Sequence, residues 1–366
     1  MPRSQVRRAR RVVVKVGSAL LAPGGELDRK FIGGLARQVA TLVSAGREVL
    51  LVTSGAISAG LKPLGLSGRP NELPLLQAAA AAGQGQLMHA YQIAFSRCDL
   101  VAAQILITRD ALDERERYLN VRNTIRALLG RRAVPVINEN DTVSVEEIRF
   151  GDNDLLSALV ASLAEADLLI LLTGVAGLLD GEGRVVPTVE EISPEVSALV
   201  RSDRSAEGTG GMGSKLAAAR IGQKSAFHTV IAPGREPDVI ARIMDGEEIG
   251  TLIKAGGEKL LARKRWLAFG QRPAGRIVVD DGAAKALVER KKSLLAIGVA
   301  AVEGGFAAGE SVSIVTKRGR ELARGISNYS AADVERIRGR RTDELASIVG
   351  EVRFEEVVHR DNLTML

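Results

Sequence analysis

V-P-V-I-N-E-N-D-T-V-S-V-E-E-I-R-F-G-D-N-D, residues 134–154, is the stretch on which the reading of the chain turns. A short apolar strand, 133–137, leads into it. Asn138, Asn140 and Asp141 follow, and after a brief excursion come Asp152, Asn153 and Asp154. Leu155, Leu156, Leu159, Val160 and Leu163 then recur at helical spacing. Two clusters of amides and carboxylates therefore stand at the end of a strand and at the start of a helix, where open α/β sheets place their ligands. Asp152 reads as the helix N-cap, with Asn153 and Asp154 in the first turn. Asn and Asp also serve as plain turn and cap residues. Two such clusters so close together weigh toward a ligand. Carboxylates take an ammonium and amides take a carboxylate, so the set suits a zwitterion.

Working outward, β-branched and apolar strands alternate with helices. Residues 11–16, 48–53, 100–107, 167–173, 228–232 and 250–253 read as strands. Residues 31–45, 73–94, 111–129 and 216–221 read as helices, and the helix after Asp154 runs to Ala164. This alternation predicts an α/β fold: a mostly parallel sheet sandwiched between helices. The pattern changes near Arg263. Short strands with Gly-rich turns follow, at 276–279, 298–302, 311–315 and 321–326, which predicts a small C-terminal β-barrel. The expected division is residues 1–262, a linker at 263–274, and 275–366.

A chain of 366 residues is too long for one ordinary core, in keeping with two domains. Aromatics make up 3%, so the core is built from Leu, Val, Ile and Ala. The single cysteine, Cys98, excludes an intramolecular disulfide framework and points to a reducing cytoplasm. His89, His228 and His359 are far apart and form no metal-ligand pattern, so no metal site is expected and each histidine reads as structural. No apolar run approaches the roughly 20 residues of a membrane span, so no membrane is expected. The Arg-rich residues 1–11 read as a frayed basic arm leading into a strand. Of the net charge of +6, residues 263–366 supply most, with 19 Lys and Arg against 14 Asp and Glu. A basic module can contact nucleic acid, although this surplus also suits an ordinary surface.

Three stretches suit phosphate. G-T-G-G-M-G-S-K, residues 208–215, offers backbone N–H groups, a following helix whose positive end points the same way, and the charge of Lys215. It is not the P-loop pattern. Lys15 lies in a strand otherwise made of Val, which is costly unless the ammonium reaches an anion at the strand end; the alternative is an edge strand with Lys15 in water. Ser54-Gly55-Ala56 forms a third such loop. No G-x-S-x-G surrounds Ser54 and no histidine is near it in sequence, so it does not read as a nucleophile.

Together, K-V-G-S, T-S-G-A-I, V-P-V-I-N-E-N-D, F-G-D-N-D and G-T-G-G-M-G-S-K resemble the glutamate 5-kinase branch of the amino acid kinase family, in the right order over residues 11 to about 262. The tail resembles a PUA domain. The resemblance implies transfer of the γ-phosphoryl group of ATP to the side-chain carboxylate of L-glutamate, the first step of proline synthesis. It implies Lys15 and Lys215 beside the transferring group, with Asp154 orienting both. It places Ser54, Asn138, Asp141 and Asn153 on glutamate. It places Lys15, Thr173, Gly174, Thr209, Gly210, Gly211, Met212, Gly213, Ser214 and Lys215 on ATP, with Mg²⁺ on the phosphates. It further implies a homo-oligomer, feedback by proline, contact with the next enzyme of proline synthesis, and weak RNA binding through the PUA-like domain.

One departure stands out. Family members usually carry L-L-T-D with a further acid two positions on, whereas here the chain reads L-L-T-G-V-A, with Gly174 and Ala176 in place of acids. The alternatives are another amino acid kinase, acting on aspartate or an acylated glutamate, and an RNA-binding protein with a kinase-like scaffold. Room for a free ammonium argues against the acylated substrate, and intact Lys15, Lys215 and Asp154 argue against the scaffold.

Overall fold

Strand β1, Arg11–Val16, explains the larger part of the fold. Its valines favour an extended, buried backbone, and in the computed structural model it pairs in parallel on both sides, with β2 (Glu48–Val52) and β5 (Leu168–Thr173). Lys15 is thus on a central strand, opposite Val52 and Leu171. The edge-strand alternative does not apply. The structure describes residues 3–108, 112, 114–143, 153–200, 211–256, 273–349 and 354–366.

The chain divides into two compact units, one of residues 1–112 with 116–259, the other of residues 260–366 with 113–115. In the first, β3 (Ala102–Ile107), β4 (Val134–Glu139), β6 (Thr188–Val189), β7 (His228–Pro233) and β8 (Thr251–Ile253) complete an eight-stranded sheet. Its order is β3-β4-β2-β1-β5-β7-β8-β6. The first six strands are parallel; β8 is antiparallel to β7 and carries β6 parallel to itself. The carboxyl ends of β4, β2, β1 and β5 therefore line one edge.

Strand alternation sends successive side chains to opposite faces. Val12, Val14 and Val16 join one core with Ile32, Leu35 and Val39 of α1 (Arg29–Ser44) and Leu87, Tyr91 and Phe95 of a longer helix. Asp28 caps α1, accepting from the Phe31 N–H at 2.9 Å. Val13 and Lys15 face the other way, where α5 (Asn153–Leu163) packs on β1 and α6 (Met212–Ser225) packs on α5. The intervening helices are α2 (Ala56–Leu61), α3 (Leu73–Ser96) and α4 (Arg115–Gly130).

The basic amino-terminal residues are not a frayed arm. Ser4–Arg7 form a helical turn, and the fully buried Arg3 donates to the carbonyls of Ile249 at 2.6 Å, Gly250 at 2.8 Å and Pro187 at 2.9 Å. A planar fork of donors matches several carbonyls at once, which sequence cannot reveal for an arginine among arginines.

The second unit holds a five-stranded sheet built on Gly275–Val279, Val299–Gly304, Ser311–Thr316, Glu321–Ile326 and Leu363–Met365, plus a ribbon of Leu294–Leu295 with Glu356–Val358. Ile277, Val279, Val312, Ile314, Val334 and Ile337 share its core. The expected linker lies outside the described residues except for 273 and 274.

Helices α2 and α3 cross at Gly60 and Gly83. A methyl group at Gly83 would overlap the Ala56 carbonyl, and one at Gly60 the Ala79 carbonyl, so the backbones touch. That crossing fixes the turn from β2 into α2. Gly83→Ala should lower stability by about 1–3 kcal/mol through overpacking. Gly85→Ala, on the same helix with open space around it, should instead gain about 0.5–1 kcal/mol. Urea unfolding midpoints of the two variants check the contrast.

Candidate functional site

Four strand ends and two helix starts converge on the edge that β1 centres. Asp154, in the first turn of α5, is fully buried. Its Oδ1 lies 2.5 Å from the Lys15 Nζ and its Oδ2 lies 2.9 Å from the Lys215 Nζ. The Lys215 contact is also an aligned hydrogen bond, and the Ser214 hydroxyl donates to the same Oδ2 at 2.9 Å. Lys15 is 6% exposed and Lys215 is 5% exposed.

Burial pushes the Asp154 carboxyl up, but the two ammonium groups outweigh burial and hold it below the ordinary carboxylate range. Within this triad one negative charge is shared by two positive ones. A buried excess of one positive charge favours an anion beside it.

A second cluster adjoins it. Asn153, the neighbour of Asp154, donates from Nδ2 to the Thr53 carbonyl at 2.6 Å, to Ser54 Oγ at 3.1 Å and to Asn138 Oδ1 at 2.9 Å. Asn138 Nδ2 in turn donates to Gln84 Oε1 at 2.8 Å. Asn153, Asn138 and Ser54 are buried. Gly55 enables the turn that presents Ser54: its φ of 95° lies in the left-handed region, which a glycine adopts without strain. The Thr53 hydroxyl meets the buried Tyr91 hydroxyl at 3.0 Å, which ties the turn to α3.

Of the expected site residues, the structure brings Lys15, Lys215 and Asp154 into one contact network, and Ser54, Asn138 and Asn153 into another. Asp141 lies in the turn after β4 and is partly exposed. Thr173 ends β5, and Gly174 next to it is exposed with open space around it. Gly211 is the N-cap residue of α6, and Met212, Gly213, Ser214 and Lys215 form its first turn. Asp152, Thr209 and Gly210 lie outside the described residues. Two participants escaped the sequence reading: the Thr53 carbonyl, which no side-chain pattern reports, and Gln84, which sits in an Ala-rich helix beside Gln77 and Gln86. No group of three or more His, Cys, Asp or Glu side chains able to hold a metal occurs among the described residues. No helix among them is long and apolar enough to cross a membrane.

Residues 10–232 match the model of the amino acid kinase family. The chain belongs to the amino acid kinase family. Residues 275–349 of this amino acid kinase match the PUA domain. Similar curated proteins include the glutamate 5-kinase of Moorella thermoacetica, 48% identical over 98% of this chain and 97% of that protein. The glutamate 5-kinase of Nitrosomonas eutropha is also 48% identical, over the whole of both chains. Among solved structures, the carbamate kinase of Giardia lamblia bound to AMP-PNP aligns with a TM-score of 0.51 at 19% identity, covering 68% of this chain and 99% of that one, a likeness of fold.

Asp154→Asn should cost this kinase about 3–5 kcal/mol, because it leaves two buried ammonium groups without their shared counter-charge. The pH dependence follows from the depressed carboxyl. Ionised Asp154 contributes fully above the unfolded value near pH ~4, and its contribution is lost as pH falls through the lower folded value. Denaturant midpoints measured from neutral to acid pH should show this acid-side loss in the parent and not in Asp154→Asn.

Proposed function

We propose that the chain transfers the γ-phosphoryl group of ATP to the side-chain carboxylate of L-glutamate, giving γ-glutamyl phosphate and ADP at the head of proline synthesis. The observation that carries this reading is the buried Lys15–Asp154–Lys215 triad with the Asn153–Asn138 amides beside it. The glutamate 5-kinases similar to it along nearly the full chain support the choice of substrate.

The acceptor is ionised at neutral pH, so its attack needs no general base. A carboxylate oxygen of glutamate bonds to the γ-phosphorus as the bond from that phosphorus to the β-bridging oxygen breaks, and ADP takes the released electron pair. Catalysis is then positioning and charge stabilisation. Lys15 and Lys215 meet the equatorial oxygens of the transferring group. Asp154 holds the two ammonium groups at their spacing. Ser54, Asn138, Asp141 and Asn153 hold the amino acid. Thr173, Gly174 and the loop from Thr209 to Lys215 hold the nucleotide, without an acidic side chain at Gly174 or Ala176.

Mg²⁺ fits on the nucleotide rather than on the protein, since the Asp154 oxygens already face lysines. When bound to the phosphates it would shield the charge of the breaking bridge. Residues 1–262 form the kinase domain, 263–274 the linker and 275–366 the PUA-like domain. A reducing cytoplasm suits the one cysteine. Assembly into a homo-oligomer, feedback by proline, contact with the next enzyme of proline synthesis and weak, salt-sensitive RNA binding by the tail belong to the same proposal.

Hydroxylamine trapping of the acyl phosphate tests the reading, with glutamate, aspartate and N-acetylglutamate as acceptors. Glutamate should give the hydroxamate, and preference for either rival acceptor would overturn the assignment. Lys215→Ala should lower kcat by about 10²–10³ while moving the KM values far less. Turnover in that variant equal to the parent's would remove Lys215 from the transfer. A chain ending at Ala262 should retain glutamate-dependent ADP release, and a folded but inactive truncation would make the tail part of the site.

A further inference from the structure

The amides beside the triad run in one direction, and the sheet sets that direction. The Asn153 side-chain atom 2.6 Å from the Thr53 carbonyl must be the nitrogen, because a carbonyl oxygen only accepts. The Asn138 atom facing that nitrogen at 2.9 Å must then be the oxygen. This leaves the Asn138 nitrogen for Gln84, 2.8 Å away, so the Gln84 oxygen is the acceptor. By elimination the Gln84 Nε2, with its two N–H groups, is the outward end of the chain. It has no protein partner among the described residues, and its side chain is partly exposed.

Asn153 adjoins Asp154 in sequence, so one end of this chain abuts the triad. Gln84 lies two hydrogen bonds further along, on α3. With the reacting carboxylate at the triad, a group there would face the part of an amino acid substrate that does not react. It can only donate, so an ammonium is not its partner.

We propose that Gln84 binds the α-carboxylate of the amino acid through Nε2, and so selects substrates with an anion at the non-reacting end. The inference rests on the reading of the protein as a glutamate kinase.

Gln84→Glu separates a substrate contact from a structural one. It keeps an acceptor for Asn138 and turns the outward donors into an anion. Loss of a hydrogen bond to a charged group, with repulsion added, predicts a rise in glutamate KM of about 10²-fold, while the ATP KM stays within about twofold. Discrimination between glutamate and its α-carboxamide analogue, which keeps the reacting carboxylate, should fall by about tenfold or more in kcat/KM. If Gln84 only orients Asn138, Gln84→Glu will behave as the parent, and that result overturns the proposal. Should Gln84→Glu not fold, Gln84→Met carries the test. The same loss of discrimination supports the contact, and equal losses on both substrates overturn it. A parent enzyme that yields no hydroxamate from glutamate refutes the glutamate-kinase reading and this inference with it. A variant-specific outcome bears on Gln84 alone.

Discussion

The bridge made by Asp154 is the constraint on which the site depends. Two ammonium groups a short distance apart repel each other, and burial strengthens that repulsion. Burying both Lys15 and Lys215 there is costly without the carboxylate between them. The two lysines come from different elements, β1 and α6, and the carboxylate from a third, α5. One shared charge therefore locks a strand and two helices into a single arrangement.

The sheet supplies what that arrangement needs. Because β4, β2, β1 and β5 are parallel, their carboxyl ends meet at one edge, and the residues that follow them share a crevice. Alternation along β1 puts Lys15 on the face covered by α5, while Val14 and Val16 flank it on the opposite face. A slip of one residue in β1 would turn the lysine into the core formed with α1 and α3. The glycine crossing of α2 and α3 serves the other cluster, since it sets where Ser54 and Gln84 stand relative to each other.

Much of this was legible in the chain. The alternation of strands and helices gave the layered sheet, and the short strands beyond Arg263 marked the second unit. Lys15 stood out because a lysine among valines needs a reason, and Asp154 because it opens an apolar helix after a polar cluster. What stayed hidden depends on partners distant in sequence. Arg3 is buried by carbonyls at Pro187, Ile249 and Gly250, so its arginine-rich neighbourhood misled. Gln84 looks like any polar residue on a helix until the Asn138 amide is seen against it. Short strands such as Thr188–Val189 and Leu294–Leu295 carry too few residues for a period to show.

The two clusters differ in charge. Beside the triad the positive groups are buried and shared, which suits the growing charge of a transferring phosphoryl group. In the adjoining cluster Asn153, Asn138 and Gln84 are neutral, and their dipoles are fixed by a backbone carbonyl rather than by a counter-ion. A cation in their place would hold a carboxylate more tightly, yet it would compete for the phosphates a few residues away. Neutral amides recognise shape and hydrogen-bonding direction without adding to the field at the reacting atoms. Lys15 and Lys215 hold the Asp154 carboxyl below its ordinary range, which makes it a weak proton acceptor, and a carboxylate ionised at neutral pH has no proton to give. In the structure it bridges the two ammonium groups, 2.5 Å from one and 2.9 Å from the other.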